Sequence, residues 1–440
     1  MSLRNKVALT ATALLASAGW SAAAHAQAFY LQEQSARGAG RAFSGEGADT
    51  GAQSLWWNPA SIAGIDRAEA AIQAAVILPK GRVNNNGTVI CRPAGVSCAN
   101  PANYRPVGGD QSAKDPINNG VLPSGAVAVP FGDKVAVGLA VTSPYSFTTD
   151  YAPTSWTRYS ALRTKLQTID IQPSLAIAPT DWLRIGGGVN VEHVYASLGN
   201  ALPNLTSTTD GRQKLEGDGW DLGWSAGMQM HNSWATIGVS YKSRIKHTLT
   251  GDLTVSGLGA PFPSTQNTTT SGLKATFYTP AQTIVSGRFK LASPLTFNAQ
   301  IVRYNWSKFD AIRLGSPLNV ALPENYRDSW SQAGGFDYMV SPALTLRAGV
   351  QHANTPTQNG LRDARVPDAD RWNYGAGGTF QLTPRIGIDF AGNYVDFKDA
   401  SIDRVTAAYA GTAAQTPVLT NGTLTNAHAL VFSLGAHVGF

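Results

Sequence analysis

Charge and cysteine are both scarce in this chain, and long apolar stretches are almost absent. Asp, Glu, Lys and Arg make up 14% of its 440 residues, and there are two cysteines. Beyond residue 26 no apolar run approaches the ~20 residues a helix needs to cross a bilayer, so no helix spans a membrane. The formal net charge of +6 falls to +4 once Arg4 and Lys6 leave with the leader described below. That is too mild for a nucleic-acid partner. Glycine, by contrast, is plentiful at 45 residues, and many short segments alternate between apolar and polar residues. The composition reads as all-β. A chain of this length holds two or three soluble domains or one large barrel.

The N-terminus gives the address. Arg4 and Lys6 precede an apolar run from Val7 to Trp20, followed by Ala24-His25-Ala26. This is a signal peptide over residues 1–26, cut after Ala26, and it directs export. The apolar run is too short to serve as a retained anchor. Cys91 and Cys98 lie in a segment rich in Asn, Gly and Pro. In an exported protein they are expected to form a loop disulfide. A metal site would need further ligands, and His and Asp are missing from that loop, so neither a metal nor a cofactor is expected.

Residues 67–440 repeat a two-residue alternation. Six short turns, such as Phe131-Gly132-Asp133-Lys134 and Ser341-Pro342-Ala343, alternate with seven long connections. The long ones are roughly 80–122, 144–164, 199–216, 247–275, 310–327, 355–371 and 399–425. That count joins fourteen strands and places both chain ends on the short-turn, periplasmic side. Alternate side chains of a strand point to opposite faces. In the last strand Leu430, Phe432, Leu434, Ala436, Val438 and Phe440 share one face, and Ser433, Gly435, His437 and Gly439 share the other. An apolar outer face, an aromatic final residue and Trp182, Trp220, Trp234, Trp330 and Trp372 near strand ends fit an outer-membrane barrel with an aromatic girdle. Only the register of 295–309 is ambiguous, with an apparent switch near Arg303.

Residues 27–66 do not alternate. They run through FYLQEQSARGAGRAFSGEGA to Asn58-Pro59-Ala60. A fourteen-stranded barrel has a lumen too wide for side chains alone to fill, and a compact N-terminal segment can plug it. This stretch resembles the hatch domain of the FadL family of outer-membrane transporters of long-chain fatty acids and alkyl or aromatic hydrocarbons. The matching positions are Gly38, Gly40, Arg41, Gly45, Glu46, Gly47, Asn58, Pro59 and Ala60. Across the barrel the likeness is weaker and rests on strand count, Phe440 and Trp156-Thr157-Arg158-Tyr159. The resemblance implies a 14-stranded antiparallel transmembrane β-barrel with an N-terminal hatch in its lumen. It also implies a hydrophobic ligand site inside and lateral exit where strand three kinks. The hatch residues then gate the channel, or their glycines only fold a tight plug.

Three other patterns carry less. Gly223-Trp224-Ser225-Ala226-Gly227 matches a nucleophile elbow, but that motif needs a strand, a turn and a helix, and here strand alternation runs straight through it. Asp363, Asp368 and Asp370 alternate with Arg362, Arg365 and Arg371, which reads as solvated ion pairs rather than a cation site. Arg184, Arg288, Lys290, Arg347 and Arg385 fall on the lumen face with Asp337 and Asp389. They read as an ion-pair network between hatch and wall, with carboxylate binding as the alternative.

The expected function is passive uptake of hydrophobic compounds across the outer membrane of a Gram-negative bacterium. Candidate ligand contacts are the aromatics Tyr145, Phe147, Tyr151, Trp156 and Tyr159, with Arg158, Arg163 and Lys165 for a charged head group. Strand three, Val135 to Thr142, has only Ala136, Gly138 and Ala140 facing inward and then meets Pro144, which cannot donate to a ladder. Together with the family resemblance, Gly138 and Pro144 are expected to mark the lateral exit; the alternative is a strand that merely ends at Pro144 while its small inner residues accommodate the hatch. Expected partners are hydrophobic small molecules, outer-membrane lipids, lipopolysaccharide and the barrel-assembly machinery, for a monomeric chain. The rival readings are a lipolytic enzyme on a barrel and a general diffusion porin.

Overall fold

The computed structural model describes residues 28–91, 97–205, 209–410, 412 and 414–440. The leader and its cleavage site lie outside the described residues. Fourteen long strands form the barrel. The first five are β1 (Glu69–Asn85), β2 (Gly120–Phe131), β3 (Val135–Thr142), β4 (Arg163–Thr180) and β5 (Leu183–Leu202). Next come β6 (Gly211–His231), β7 (Ala235–Lys242, continued by Ile245–Ser256) and β8 (Thr269–Thr279, continued by Gln282–Ala292). The remainder are β9 (Leu295–Tyr304), β10 (Ser329–Ser341), β11 (Leu344–Ala353), β12 (Arg371–Thr383), β13 (Ile386–Phe397) and β14 (Thr416–Gly439). Each pairs antiparallel with its neighbours. β1 also pairs with β14, from Glu69 opposite Gly439 to Asn85 opposite Gly422, so the sheet closes. Closure pairs the first strand with the last, so neither is left as an open edge in lipid.

The two faces follow the sequence pattern. On β6, Trp220, Leu222, Trp224 and Met228 are exposed, while Ser225 and Gln229, on the other face, are buried. Gly223 to Gly227 thus lies in an uninterrupted strand, with Ser225 turned inward. The expected switch near Arg303 does not occur. Ile301 and Arg303 face out, and Gln300, Val302 and Tyr304 are buried on the lumen side. Val302 and Tyr304 look lipid-facing in sequence because this part of the lumen is itself apolar.

Several long connections are shorter than their sequence suggested. β5 runs to Leu202 and β6 starts at Gly211, and β7 and β8 reach Ser256 and Thr269. Near the C-terminus a strand at Ala400–Ala408 pairs with the first part of β14. These extensions stand beyond the membrane, where neither face needs to be uniformly apolar, so their alternation fades.

The segment before β1 lies inside the barrel. It holds a single helical turn at Ala36–Ala39, whose N-cap Ser35 Oγ accepts the Gly38 N–H, and short 3₁₀ turns at Glu46–Ala48, Ala52–Ser54 and Pro59–Gly64. Asn58 caps the last by accepting from the Ala60 N–H. Inward-facing glycines let the wall meet this backbone directly. A Cβ on Gly186 would lie 2.4 Å from Pro59, one on Gly238 2.0 Å from the Gly47 carbonyl oxygen, and one on Gly349 2.2 Å from that of Arg41. No real Cβ tolerates such distances, and this accounts for much of the glycine on these strands.

Candidate functional site

The hatch is tied to the wall by buried charge. Arg41 is fully buried and donates to Glu46 at 2.5 Å, Asp49 at 2.6 Å and Asp337 of β10 at 3.2 Å. Arg288 of β8 reaches Asp49 at 3.2 Å and Asp337 at 2.9 Å, and Arg37 lies 3.2 Å from Asp49. Arg347 of β11 lies 3.7 Å from Asp337. Taking such charges out of water is tolerable only with paired, hydrogen-bonded partners. Arg184 instead donates to Thr50 and Gln229, while Lys290 and Arg385 are exposed. Asp389 accepts from Gln53 of the hatch and pairs with His437.

The other predicted hatch residues sit in the same framework. Gly38 faces the Glu46 carboxylate, which a Cβ would meet at 2.6 Å, and Gly40 lies against Gly377. Gly45 has φ 80°, a left-handed conformation that favours glycine. The Gly47 N–H donates to Ser286 and Gln300, and its carbonyl accepts from Asn58 and Gln229. Asn58 also donates to the Met228 carbonyl of β6.

Beyond the hatch, the lumen becomes apolar. An elongated cavity of about 800 Å³, counting its open mouth, is lined mainly by Leu166, Leu198, Leu215, Leu249, Leu273 and Phe277 from the wall, with Phe29, Phe147, Phe309 and Tyr326. Its lining suits an apolar ligand. At one end Phe29 packs on Trp306 at 4.8 Å, Phe309 at 5.4 Å, Phe147 at 5.8 Å and Tyr145 at 6.0 Å between ring centres. Glu324 and Arg365 also border the cavity. Burial raises the Glu324 carboxyl above the ordinary carboxylate range, against the pull of Arg404 at 3.4 Å. Arg365 lies 3.4 Å from Asp363. The loop acids are ion-paired: Asp363 with Arg404 at 2.9 Å, Asp368 with Arg371 at 3.6 Å and Asp370 with Lys398 at 3.8 Å.

The wall is interrupted beside β3. Pairing of β3 with β2 ends at Val141 opposite Gly125, although β3 stays paired with β4 to Thr142. The chain turns at Ser143-Pro144 and resumes at Ser146–Asp150, again on β4 and not on β2. The freed edge is taken by the hatch. Leu31 N–H donates to the Pro144 carbonyl at 2.7 Å, and Ser146 N–H donates to that of Phe29 at 3.0 Å. Further out, Ile117 bridges Thr149. Residues Gly120–Ser124 of β2 thus keep β1 on one side and have no strand on the other, which frames a window in the wall. A hollow behind it is lined by Gln34, Ser35 and Trp56 of the hatch and Ser124, Ala126, Ala140 and Thr142 of the wall. Gly138 has a packing role nearby, since a Cβ there would lie 2.7 Å from Leu55.

The candidate ligand residues divide. Phe147 lines the cavity, and Tyr145 packs behind it and accepts from Gln282. Tyr151 donates to the Ala364 carbonyl, Trp156 to that of Val83, and Tyr159 to Asp210. Arg158 holds Asp210 at 3.0 Å and three loop carbonyls, those of Val107, Gly108 and Ser155. These four brace extracellular loops. Arg163 is exposed beside Asp150, and Lys165 borders the cavity but sends its ammonium over Tyr195, on the opposite strand face from Leu166. Cys91 and Cys98 are joined in a disulfide with Cα atoms 5.8 Å apart. Leu215, Leu249 and Leu273 stand on strand extensions that the sequence pattern leaves within the long connections 199–216 and 247–275, and Leu166, Leu198 and Phe277 lie within two residues of such a connection. Their signal was an apolar residue on the lumen face, as at Val302 and Tyr304.

Comparison with known proteins places this architecture. Residues 17–440 match the family described as outer membrane protein transport protein, OMPP1/FadL/TodX. A long-chain fatty acid transport protein of Escherichia coli O6:H1 is 26% identical, with 88% of this chain and 89% of that protein covered. Outer membrane protein P1 of Haemophilus influenzae is also 26% identical, covering 90% and 91%. A crystal structure of a Pseudomonas aeruginosa FadL homologue superposes with a TM-score of 0.80 at 25% identity, covering 94% of this chain and all of that one. The Pseudomonas putida toluene transporter TodX shares the fold, with a TM-score of 0.66 at 16% identity, covering 94% and 99%. The chain therefore belongs to the OMPP1/FadL/TodX family of outer-membrane transport proteins and is a Gram-negative outer-membrane β-barrel.

Proposed function

We propose that the barrel takes up long-chain fatty acids or alkyl and aromatic hydrocarbons by passive diffusion, with the hatch as gate and the window beside β3 as exit. The observation that carries this is the pairing of an apolar lumen cavity with the break in strand pairing between β2 and β3. An apolar solute held in the cavity has no favourable path through the polar hatch, where Arg41 and its carboxylates are buried. Sideways, the barrier is a few side chains around Gln34 and Trp56. A small hatch movement at Phe29–Leu31 would join cavity and window, because those residues touch both. Such a route spares the ligand the transfer of its apolar surface into periplasmic water, about 25 cal/mol per Å².

Arg365 and Glu324 at the cavity are both engaged with neighbouring charges, which favours ligands bound by their apolar part. Closure of one chain on itself supports a monomer, inserted by the barrel-assembly machinery. The test is uptake in a deletion strain complemented with this chain. Radiolabelled oleate and toluene are supplied separately, with a polar solute of similar mass as control. Restored uptake of a hydrophobic compound, with no gain for the polar one, is expected. Equal gain for both would mean an open diffusion pore, and gain for neither would end the proposal.

A further inference from the structure

The same strands that wall the apolar cavity carry a basic cleft on their outer face. On β7, Ile245, His247 and Leu249 are buried inward, and Arg244 and Lys246 stand exposed outward. The chain beyond β9 repeats this division, with Trp306 and Phe309 buried and Ser307 and Lys308 exposed. A short strand at Ala311–Leu314 then rejoins β8, setting Arg313 opposite Thr276. Together Arg244, Lys246, Lys308 and Arg313 line an open cleft of about 780 Å³ with Tyr278 and Asp310.

Position and charge together identify its occupant. Below the cleft the outward residues are apolar, Ile237 and Tyr241 on β7 and Val285 on β8, and the exposed Trp220 and Trp224 stand on neighbouring β6. Aromatic side chains of this kind mark the boundary between acyl chains and head groups. Asp310 pairs with Arg313 at 2.5 Å. Among the described residues no carboxylate lies within ion-pair distance of Arg244, Lys246 or Lys308, although the Arg244 guanidinium sits 5.5 Å above the Tyr278 ring. Three cations without an ion-pair partner among the described residues thus converge at head-group depth on a lipid-facing wall, against the one cleft carboxylate, Asp310, that Arg313 holds. Basic pockets at that depth bind phosphorylated head groups, and guanidinium and ammonium groups supply charge-assisted hydrogen bonds to phosphate.

We propose that this cleft binds the phosphate-bearing head group of a lipopolysaccharide molecule in the outer leaflet. The site is separate from the uptake route and does not depend on which compound the lumen carries. Its occupant would also brace the Asn305–Asp310 segment, whose inward residues Trp306 and Phe309 pack on Phe29.

The test uses the full mature protein in detergent and reads binding of bis-phosphorylated lipid A by native mass spectrometry. The variant Arg244→Gln/Lys246→Gln/Lys308→Gln is expected to bind at least about tenfold more weakly, with three of the phosphate-attracting cations gone. Dephosphorylated lipid A should bind the parent protein as weakly as the variant binds the phosphorylated form. Millimolar inorganic phosphate should not displace the lipid. Undiminished binding by the variant, or equal binding of dephosphorylated lipid A, overturns the proposal. Displacement by free phosphate would make this a general anion site and also overturns it. A heat-modifiable gel shift certifies that the variant barrel is closed. Should the triple variant not fold, Lys246→Gln/Lys308→Gln is measured against the same criteria.

Discussion

Replacing Arg41 by methionine should unseat the hatch without opening the barrel. Methionine keeps the apolar stem but not the guanidinium, so the variant loses the buried charge and leaves a small cavity where that planar group stood. Removing one partner of a buried ion pair costs about 3–5 kcal/mol, because the remaining charge is left buried and alone. The structure indicates which charge that is. Asp49 keeps Arg37 and Arg288, and Asp337 keeps Arg288 and Arg347. Among the described residues Glu46 forms an ion pair with Arg41 alone, at 2.5 Å, and its other carboxylate oxygen has no hydrogen-bond partner. One orphaned carboxylate rather than three points to the lower end, about 3 kcal/mol. At 1.4 kcal/mol per factor of ten, the unseated hatch becomes roughly a hundredfold more populated. Hydrogen exchange of the amides between Ala36 and Ala63 should speed up by that factor, while strand amides and heat-modifiable mobility stay as in the parent. Adding Glu46→Gln should recover most of the loss, since the amide removes the stranded charge. Unchanged hatch exchange in Arg41→Met, or no recovery in the double variant, would refute the reasoning.

Three further outcomes follow from the packing. Gly186→Ala places a Cβ 2.4 Å from the backbone of Pro59, so the hatch must shift; overpacking of this kind costs about 1–3 kcal/mol and should appear as faster hatch exchange with a normal barrel. Leu249→Trp should fill part of the cavity; excluding about two methylenes of ligand costs about 1.6 kcal/mol, roughly fifteenfold in affinity, measurable by titration of a fluorescent fatty acid. Deleting Phe440, whose N–H donates to the Ala68 carbonyl at 2.9 Å where β14 meets the start of β1, should reduce the assembled, heat-modifiable form in outer-membrane fractions. Normal surface levels of that truncation would count against the role given to the final strand.

The barrel was legible in the sequence because lipid on one side and a filled lumen on the other impose period-2 alternation on every membrane-crossing strand. Fourteen strands could be counted from turns such as Phe131-Gly132-Asp133-Lys134 without knowing any contact. The strand extensions were not legible, since above the membrane both faces of β5, β6 and β7 meet water or loops and the pattern lapses. Arg41 and Glu46 stood out by resemblance alone. Nothing local says that Arg41 finds Asp337, 296 positions away. In sequence Tyr151, Trp156 and Tyr159 read as ligand contacts because aromatics near a strand end suit both a pocket and a loop anchor. Only the fold separates Phe147, which lines the cavity, from Trp156, which braces Val83. The break after β3 could be read from Pro144, but its filling by Phe29–Leu31 depends on the hatch reaching across the lumen.

The lateral exit is tested most directly by closing the window. Ser124 and Thr142 are buried side chains one step beyond the last paired residues of β2 and β3, Gly125 and Val141. Cysteines at both positions, in a chain where Cys91 and Cys98 are replaced by serine, should cross-link under oxidation and seal the gap. Uptake of labelled oleate or toluene should then fall to the level of the deletion strain and return on adding a reductant. Uptake that continues at the reduced rate in fully cross-linked protein would mean that the ligand leaves by another route.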